Sequence, residues 1–222
     1  YQVFLGNGSL NQEIAENMAD FMNFTGVRML DFDGLEGTYS TGMGKYGEIL
    51  FADAWYQQLN DSLKNGYVLG ASRPAHYFWH YYSRMNWGEP WYAGFRESQT
   101  EYRFFNQKYY QRNYMPAMLG WFMFTSKTSI EDINWLMARS AGYDAGFALY
   151  ASLKSFQENG NAEIIMRNIN LWETARRDKI FPEKVREKMR DLKKEFILEK
   201  GDVSGYKLTE IHTFKQELKL EK

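Results

Sequence analysis

The chain has 222 residues, 44% of them hydrophobic, which is enough for a substantial core. Basic and acidic residues nearly cancel to a formal net charge of -1, and no basic run is long enough to follow a phosphate backbone, which argues against a nucleic-acid partner. No stretch reaches the roughly 18 to 20 apolar residues of a membrane span, so no membrane partner is expected. The absence of cysteine excludes disulfides and thiolate sites and leaves the compartment open, with a periplasmic or secreted location preferred.

The N-terminal part of the sequence alternates predicted strands and helices. Residues 2–5 form a plausible strand, so the chain starts inside an element and is expected to be a piece of a longer protein. Residues 9–12 match a capping box that would start a helix, and Gly26 would end it. The apolar segment 27–33 then follows as a strand that ends in acidic residues.

The same step from helix to strand recurs further along the chain. The predicted helices cover about residues 49–59 and 96–110 and a segment opened at residues 128–131, and the strands that follow cover residues 67–71, 117–124 and 143–149. Strands separated by helices of this length pair in parallel through right-handed crossovers. The expected fold class is therefore α/β, either a barrel or an open doubly wound sheet.

A barrel is preferred because acidic and polar residues follow several strands and no dinucleotide-binding glycine fingerprint follows any of them. The predicted strands are too few to close an eight-stranded barrel. Residues 1–195 are therefore interpreted as the later part of a (β/α)8 TIM barrel, whose missing N-terminal part is an expected partner. Residues 162–177 and 182–194 are predicted helices, and residues 196–222 are interpreted as the start of a β-rich domain or tail.

The strongest chemical signal is a strand that ends in carboxylates. Side chains alternate along a strand, so Met29, Asp31 and Asp33 share one face and Phe32 lies on the other. Cleavage of a glycosidic bond needs two carboxyl groups that flank the bond. Asp33 is the preferred nucleophile or base, with Asp31 and Glu36 as further candidates. The alternative is that Asp31 pairs with a basic residue and Asp33 caps the next loop.

The segment 73–92 interleaves aromatic rings with hydrogen-bonding side chains. Aromatic faces stack on the C–H faces of sugars while polar groups bind the hydroxyls. The candidate substrate-binding residues in this segment are Arg73, His76, Trp79, His80, Arg84, Trp87 and Trp91. Glu89 is the candidate proton donor, because flanking tryptophan rings desolvate a carboxyl group and favour its protonated form. The alternative is a loop glutamate bonded to Arg84 or Arg96.

Two other patterns resemble ligand motifs and fail in detail. His76 and His80 have a spacing seen in zinc sites, but Tyr77 stands where the motif requires glutamate. The glycine-rich segment 34–47 lacks the lysine followed by serine or threonine of a phosphate-binding loop. The sequence therefore predicts no metal and no cofactor, and this loop is expected to contribute Tyr39 or Lys45 to substrate binding.

Two candidates lie on or beside the later predicted strands. Trp121 and Asp144 are flanked by small residues that allow a ligand to approach closely, so either is a candidate for lining the same cleft. A core tryptophan and a capping aspartate are the alternatives.

Three segments, in their order along the chain, carry a resemblance to a known family. They are residues 29–37, 84–91 and 118–122, and they resemble the later half of the catalytic barrel in bacterial glycoside hydrolases that degrade polysaccharides. The resemblance covers roughly residues 1–195 and implies a full barrel, from which this chain departs by lacking the first strands. In related barrels the nucleophile often follows the fourth strand, which would match Asp33, whereas no motif fixes the acid.

Three functions are consistent with the sequence. The first is a hydrolase that holds its carbohydrate substrate against the aromatic segment and uses Asp33 and a second carboxyl group. The second is a polysaccharide lyase in which His76 or Tyr77 is the base and Arg73 or Arg84 neutralises a uronate carboxylate. The third is a non-catalytic module that binds carbohydrate or protein, in which replacement of Asp33 would affect fold stability alone.

Overall fold

The structure is a computed structural model, and it describes residues 7–33, 45–72, 79–85, 93–98, 100–202 and 205–212. The helices are α1 (Gly8–Thr25), α2 (Lys45–Gln58), α3 (Asp61–Lys64), α4 (Thr100–Arg112), α5 (Ile130–Tyr143), α6 (Leu153–Glu158), α7 (Ala162–Arg177) and α8 (Glu183–Met189), with a short 3-10 helix at Trp79–Tyr81. The strands are β1 (Met29–Phe32), β2 (Val68–Ala71), β3 (Arg84–Met85), β4 (Met118–Met123), β5 (Gly146–Tyr150), β6 (Glu195–Glu199) and β7 (Lys207–Ile211). The expected mixed α/β class is confirmed.

The described strands form three small sheets. Strands β1, β2 and β3 lie side by side in parallel. This confirms the parallel pairing predicted for the segments that contain β1 and β2, whereas β3 was not predicted. Strand β4 pairs with β5, and β6 pairs antiparallel with β7. The chain divides into two compact units, residues 1–87 with 110–118 and residues 88–109 with 119–222. Within the described residues, no helix is both long and apolar enough to cross a membrane.

The first unit packs one face of its parallel sheet against helices α1 and α2. Phe32 of β1 is buried, and its ring lies edge-on to Phe51 and Trp55 of α2 at centroid distances of 5.3 and 5.5 Å. Met29 and Asp31 are exposed on the opposite face. The alternation of faces predicted for this strand is therefore confirmed, because Phe32 lies on the face that α2 covers whereas Met29 and Asp31 lie on the other.

The ends of α1 show how local chemistry sets a helix boundary. The side chain of Asn7 caps the helix by accepting a hydrogen bond from the Leu10 N–H at 3.1 Å, so the predicted capping box at residues 9–12 is wrong. Asparagine is as good an N-cap as serine, and the first helical turn forms at the earlier position. Gly26 ends the helix in the left-handed conformation, with φ of 70°, as predicted.

The second unit has a separate core between α5, α7, α8 and the β6–β7 hairpin. Its buried residues include Phe124, Ile133, Met137, Ile165, Trp172, Met189, Phe196 and Leu198. Ser129 and Asp132 form a capping box that starts α5, one residue after the predicted box at residues 128–131. The helix continues to Tyr143, so the strand predicted from that residue is wrong at its start and β5 begins at Gly146.

Other predicted boundaries move by a few residues. Helix α7 has the predicted span, whereas α4 begins at Thr100 rather than at residue 96. Helix α8 ends at Met189, before the predicted limit, because the chain turns over residues 190–194 into β6. Strand β6 packs against α5 and α7 within the second unit. The predicted strand at residues 2–5 lies outside the described residues.

Candidate functional site

An ion pair crosses the exposed face of the parallel sheet. Asp31 on β1 stands opposite Gly70 on β2, and Gly70 stands opposite Arg84 on β3. The Arg84 Nη2 lies 3.3 Å from the Asp31 Oδ2, so the two side chains meet above the strand that separates their backbones. Both remain about one third exposed, with relative accessibilities of 36% for Asp31 and 31% for Arg84. The carboxylate is therefore neutralised by a partner and still reachable from solvent.

Gly70 is the residue that allows this pair to form. A Cβ atom placed on Gly70 would collide with the Asp31 Oδ1, would lie 2.7 Å from the Asp31 Cγ and would contact the Arg84 Nε at 3.4 Å. A glycine inside a strand commonly marks a place where another group approaches the backbone. Here the approaching group is the carboxylate of Asp31, so the absence of a side chain at Gly70 leaves room for the ion pair.

Asp33 occupies the position expected for a reactive carboxylate at a strand end. It follows the last residue of β1 and is exposed. The Ser72 N–H donates to the Phe32 carbonyl at 3.1 Å, so β1 and β2 end together. In parallel α/β sheets this carboxyl edge is where ligands bind.

His80 lies beside a group of tyrosines in the first unit. The Tyr81 hydroxyl donates to the Asp53 Oδ1 at 3.0 Å, and the Tyr67 hydroxyl donates to the Tyr81 carbonyl at 2.9 Å. Burial, followed by the hydrogen bond to Asp53, raises the pKa of Tyr81 to about 12. The exposed ring of His80 lies against Tyr81 at a centroid distance of 4.3 Å. These contacts fix the short helix, which Trp79 opens, ahead of β3.

The two candidates near the later strands have structural contacts. Trp121 is partly buried on β4, where its backbone carbonyl accepts a hydrogen bond from Arg103. Asp144 caps α5 in the left-handed conformation, with φ of 51°, and its carboxylate accepts from the Arg176 Nη1 at 2.7 Å. The second observation matches the alternative of a capping aspartate.

Half of the predicted site lies outside the described residues. This group comprises Glu36, Tyr39, Arg73, His76, Trp87, Glu89 and Trp91. The structure brings Asp31 and Arg84 together on one face of one sheet, and it gives Asp31 the basic partner that the sequence had left as an alternative. Asp33 directly follows β1. In the described part of the chain, no group of three or more histidine and carboxylate side chains is placed to hold a metal ion.

Gly70 is the functional-site residue that sequence reasoning missed. The available signal was a single glycine inside the apolar run at residues 67–71. Its meaning depends on the strand register, which places Asp31 opposite it.

Comparison with known protein families, with curated proteins and with solved structures gives no significant match to this chain.

Proposed function

We propose that the protein hydrolyses glycosidic bonds in an oligo- or polysaccharide. The observation that carries the proposal is the pair of carboxylates at the C-terminal end of β1, where the parallel strand β2 ends beside it. Both carboxylates are exposed, and Asp33 lies beyond the strand and outside the ion pair that holds Asp31. A solvent-reachable carboxylate at this edge suits a nucleophile or a general base.

The proposed roles divide between residues that react and residues that position. Asp33 is the nucleophile or base, and Glu89 is the proposed proton donor on the opposite side of the bond. Asp31, held by Arg84, keeps its negative charge fixed beside the reaction site and orders the end of β1. This pairing favours hydrolysis over the lyase alternative, since Arg84 already neutralises Asp31 and is less able to bind a uronate carboxylate.

We further propose that residues 1–195 belong to a TIM barrel completed by a preceding part of the protein. Strand β1 is the edge of its sheet among the described residues, and Met29 on it is 49% exposed. Beside this edge lies an apolar groove of about 280 Å³, lined by Ile14, Asn17, Met18, Phe21, Met22 and Leu30. A neighbouring strand and its helix would pair with the free edge of β1 and fill this groove.

The test of hydrolysis uses the complete natural protein and a panel of plant, algal and host glycans, with reducing ends measured as product. Asp33→Asn removes the negative charge and keeps the size of the side chain, and we expect turnover to fall by about two to four orders of magnitude while glycan binding persists. Asp178→Asn is the matched control, because Asp178 is exposed in the second unit, and it should leave turnover unchanged.

Two outcomes would overturn this assignment. Turnover that survives Asp33→Asn, in protein with an unchanged unfolding temperature, would show that Asp33 does not react. A product that absorbs in the ultraviolet and forms only from uronate glycans would show elimination instead of hydrolysis, and the lyase alternative would replace the hydrolase.

A further inference from the structure

The second unit contains a cavity that the proposed hydrolase does not use. It has a volume of about 710 Å³ and lies between α5, α7 and the turn end of the β6–β7 hairpin. Its aliphatic lining consists of Ile130, Ile164, Leu171, Ile197 and Leu198. A cavity of this size and composition suits a small ligand with an apolar body.

One buried side chain in the lining has an unused hydrogen-bond donor. Asn134 is 5% exposed, and its Oδ1 accepts from the Trp172 Nε1 at 2.9 Å and from the Asn168 Nδ2 at 2.8 Å. An indole nitrogen only donates, so the oxygen of Asn134, and not its nitrogen, must face Trp172. The Asn134 Nδ2 then has no acceptor among the residues that the structure describes. A ligand oxygen in the cavity would supply that acceptor.

The charged side chains in the described lining are both cationic. Arg167 is paired with Glu163 one turn earlier on α7. Lys200 follows β6, is exposed, and has no ion-pair partner within the described part of the chain. Among the described residues this positive charge has no ion-pair partner, and it is complementary to an anionic ligand.

We infer that this cavity binds an amphiphilic organic acid. The apolar body of the ligand contacts the aliphatic lining, its carboxylate pairs with Lys200, and a carbonyl or ether oxygen away from the carboxylate accepts from Asn134. A sugar is a poorer fit, because its hydroxyls would be desolvated against Ile130, Leu171 and Ile197. The inference is independent of the proposed hydrolysis, since its residues belong to the second unit alone.

The test is a calorimetric titration of the protein with three matched compounds. These are 9-oxodecanoate, which has all three features, decanoate, which lacks the ketone, and methyl 9-oxodecanoate, which lacks the charge. We expect saturable binding of 9-oxodecanoate and about 5-fold weaker binding of each of the other two compounds. Decanoate loses one hydrogen bond and the methyl ester loses one exposed charge pair, and each loss is worth about this factor.

Two variants with matched controls locate the binding. Lys200→Gln should remove the preference for the acid over the ester, whereas Lys193→Gln, at another exposed lysine, should keep it. Ile164 is 53% exposed, so Ile164→Glu places a carboxylate at the cavity without disturbing the core. The affinity of this variant for 9-oxodecanoate should be at least 10-fold lower than that of the natural protein. Leu153→Glu, at a position that is 75% exposed on α6, should bind like the natural protein.

Three results would overturn the inference. The first is the absence of saturable binding by any of the three compounds. The second is equal affinity for the acid and the ester in the natural protein, which would remove the role of Lys200. The third is unchanged affinity in Ile164→Glu, which would place the ligand elsewhere on the molecule.

Discussion

Replacement of Gly70 by alanine tests whether the ion pair across the sheet depends on a missing side chain. The new Cβ would collide with the carboxylate of Asp31 and lie 2.7 Å from its Cγ, a separation that real Cβ atoms do not show. Asp31 therefore has to move, and it would leave Arg84 when it does. The nearest Arg84 atom, Nε, would lie 3.4 Å from the new Cβ, which is an ordinary contact. The loss of stability should therefore come from the displacement of Asp31.

The size of the effect follows from opposing contributions. An added methyl group in a filled space costs about 1–3 kcal/mol, and the loss of a partly exposed ion pair adds about 0.2–1 kcal/mol. Because alanine restricts the unfolded chain more than glycine, about 0.4–1 kcal/mol is recovered. Together these contributions span about 0.2–3.6 kcal/mol, and we expect Gly70→Ala to lower the free energy of unfolding by about 2 kcal/mol, near the middle of that range.

A double-mutant cycle isolates the contact. In an Asp31→Ala background the obstacle is absent, so Gly70→Ala should be neutral or stabilising by up to about 1 kcal/mol. Urea unfolding of the four proteins, followed by tryptophan fluorescence, gives the four free energies. Gly160→Ala is the control, since nothing lies within 4 Å of its Cβ position, and its effect should be the same in both backgrounds. An equal cost of Gly70→Ala with and without Asp31 would refute the reasoning.

Three further predictions concern single contacts. Asp144→Ala should cost about 1 kcal/mol, because Asp144 has a left-handed backbone, whereas Asp144→Gly should cost less; urea unfolding separates them. Buried Arg139 donates to the carbonyls of residues 191 and 194, and the first of these also accepts from the Lys194 N–H. Arg139→Met should therefore cost about 1–3 kcal/mol, because the carbonyl of residue 194 loses its donor; the same titration measures it. The pKa of Tyr81 is raised to about 12 from about 10, so its contribution to stability is complete below pH 10 and is lost as the pH rises to 12. Between pH 10 and pH 12 the free energy of unfolding should therefore fall less in the Tyr81→Phe variant than in the natural protein.

Sequence patterns predict the elements whose signals are local. Helix α7 was predicted with its observed bounds because an amphipathic stretch follows the glycine and asparagine at residues 160–161. The two faces of β1 were predicted because alternation needs no partner. The end of α5 was missed, since its last turn is set by burial of Ala141 in the core of the second unit.

The candidate site was predictable only in part. That Asp31 needs a basic partner followed from the cost of burying a carboxylate, but 53 positions separate it from Arg84, and only the register of three strands brings them together. The role of Gly70 depends on the same strand register, which places it between Asp31 and Arg84. The exposed position of Asp33 at the end of β1 agrees with the sequence, whereas its reactivity and its convergence with Glu89 stay predictions, since Glu89 lies outside the described residues.

The most direct test of the central claim is chemical rescue of Asp33→Ala in the complete natural protein. If Asp33 reacts with the sugar or with water, turnover of the responsive glycan should fall by at least about 100-fold, and added azide or formate should restore part of it by entering the vacated space. Asp31→Ala should not be rescued in this way, because the role of Asp31 is to position. Full activity of Asp33→Ala without any added anion would contradict the account.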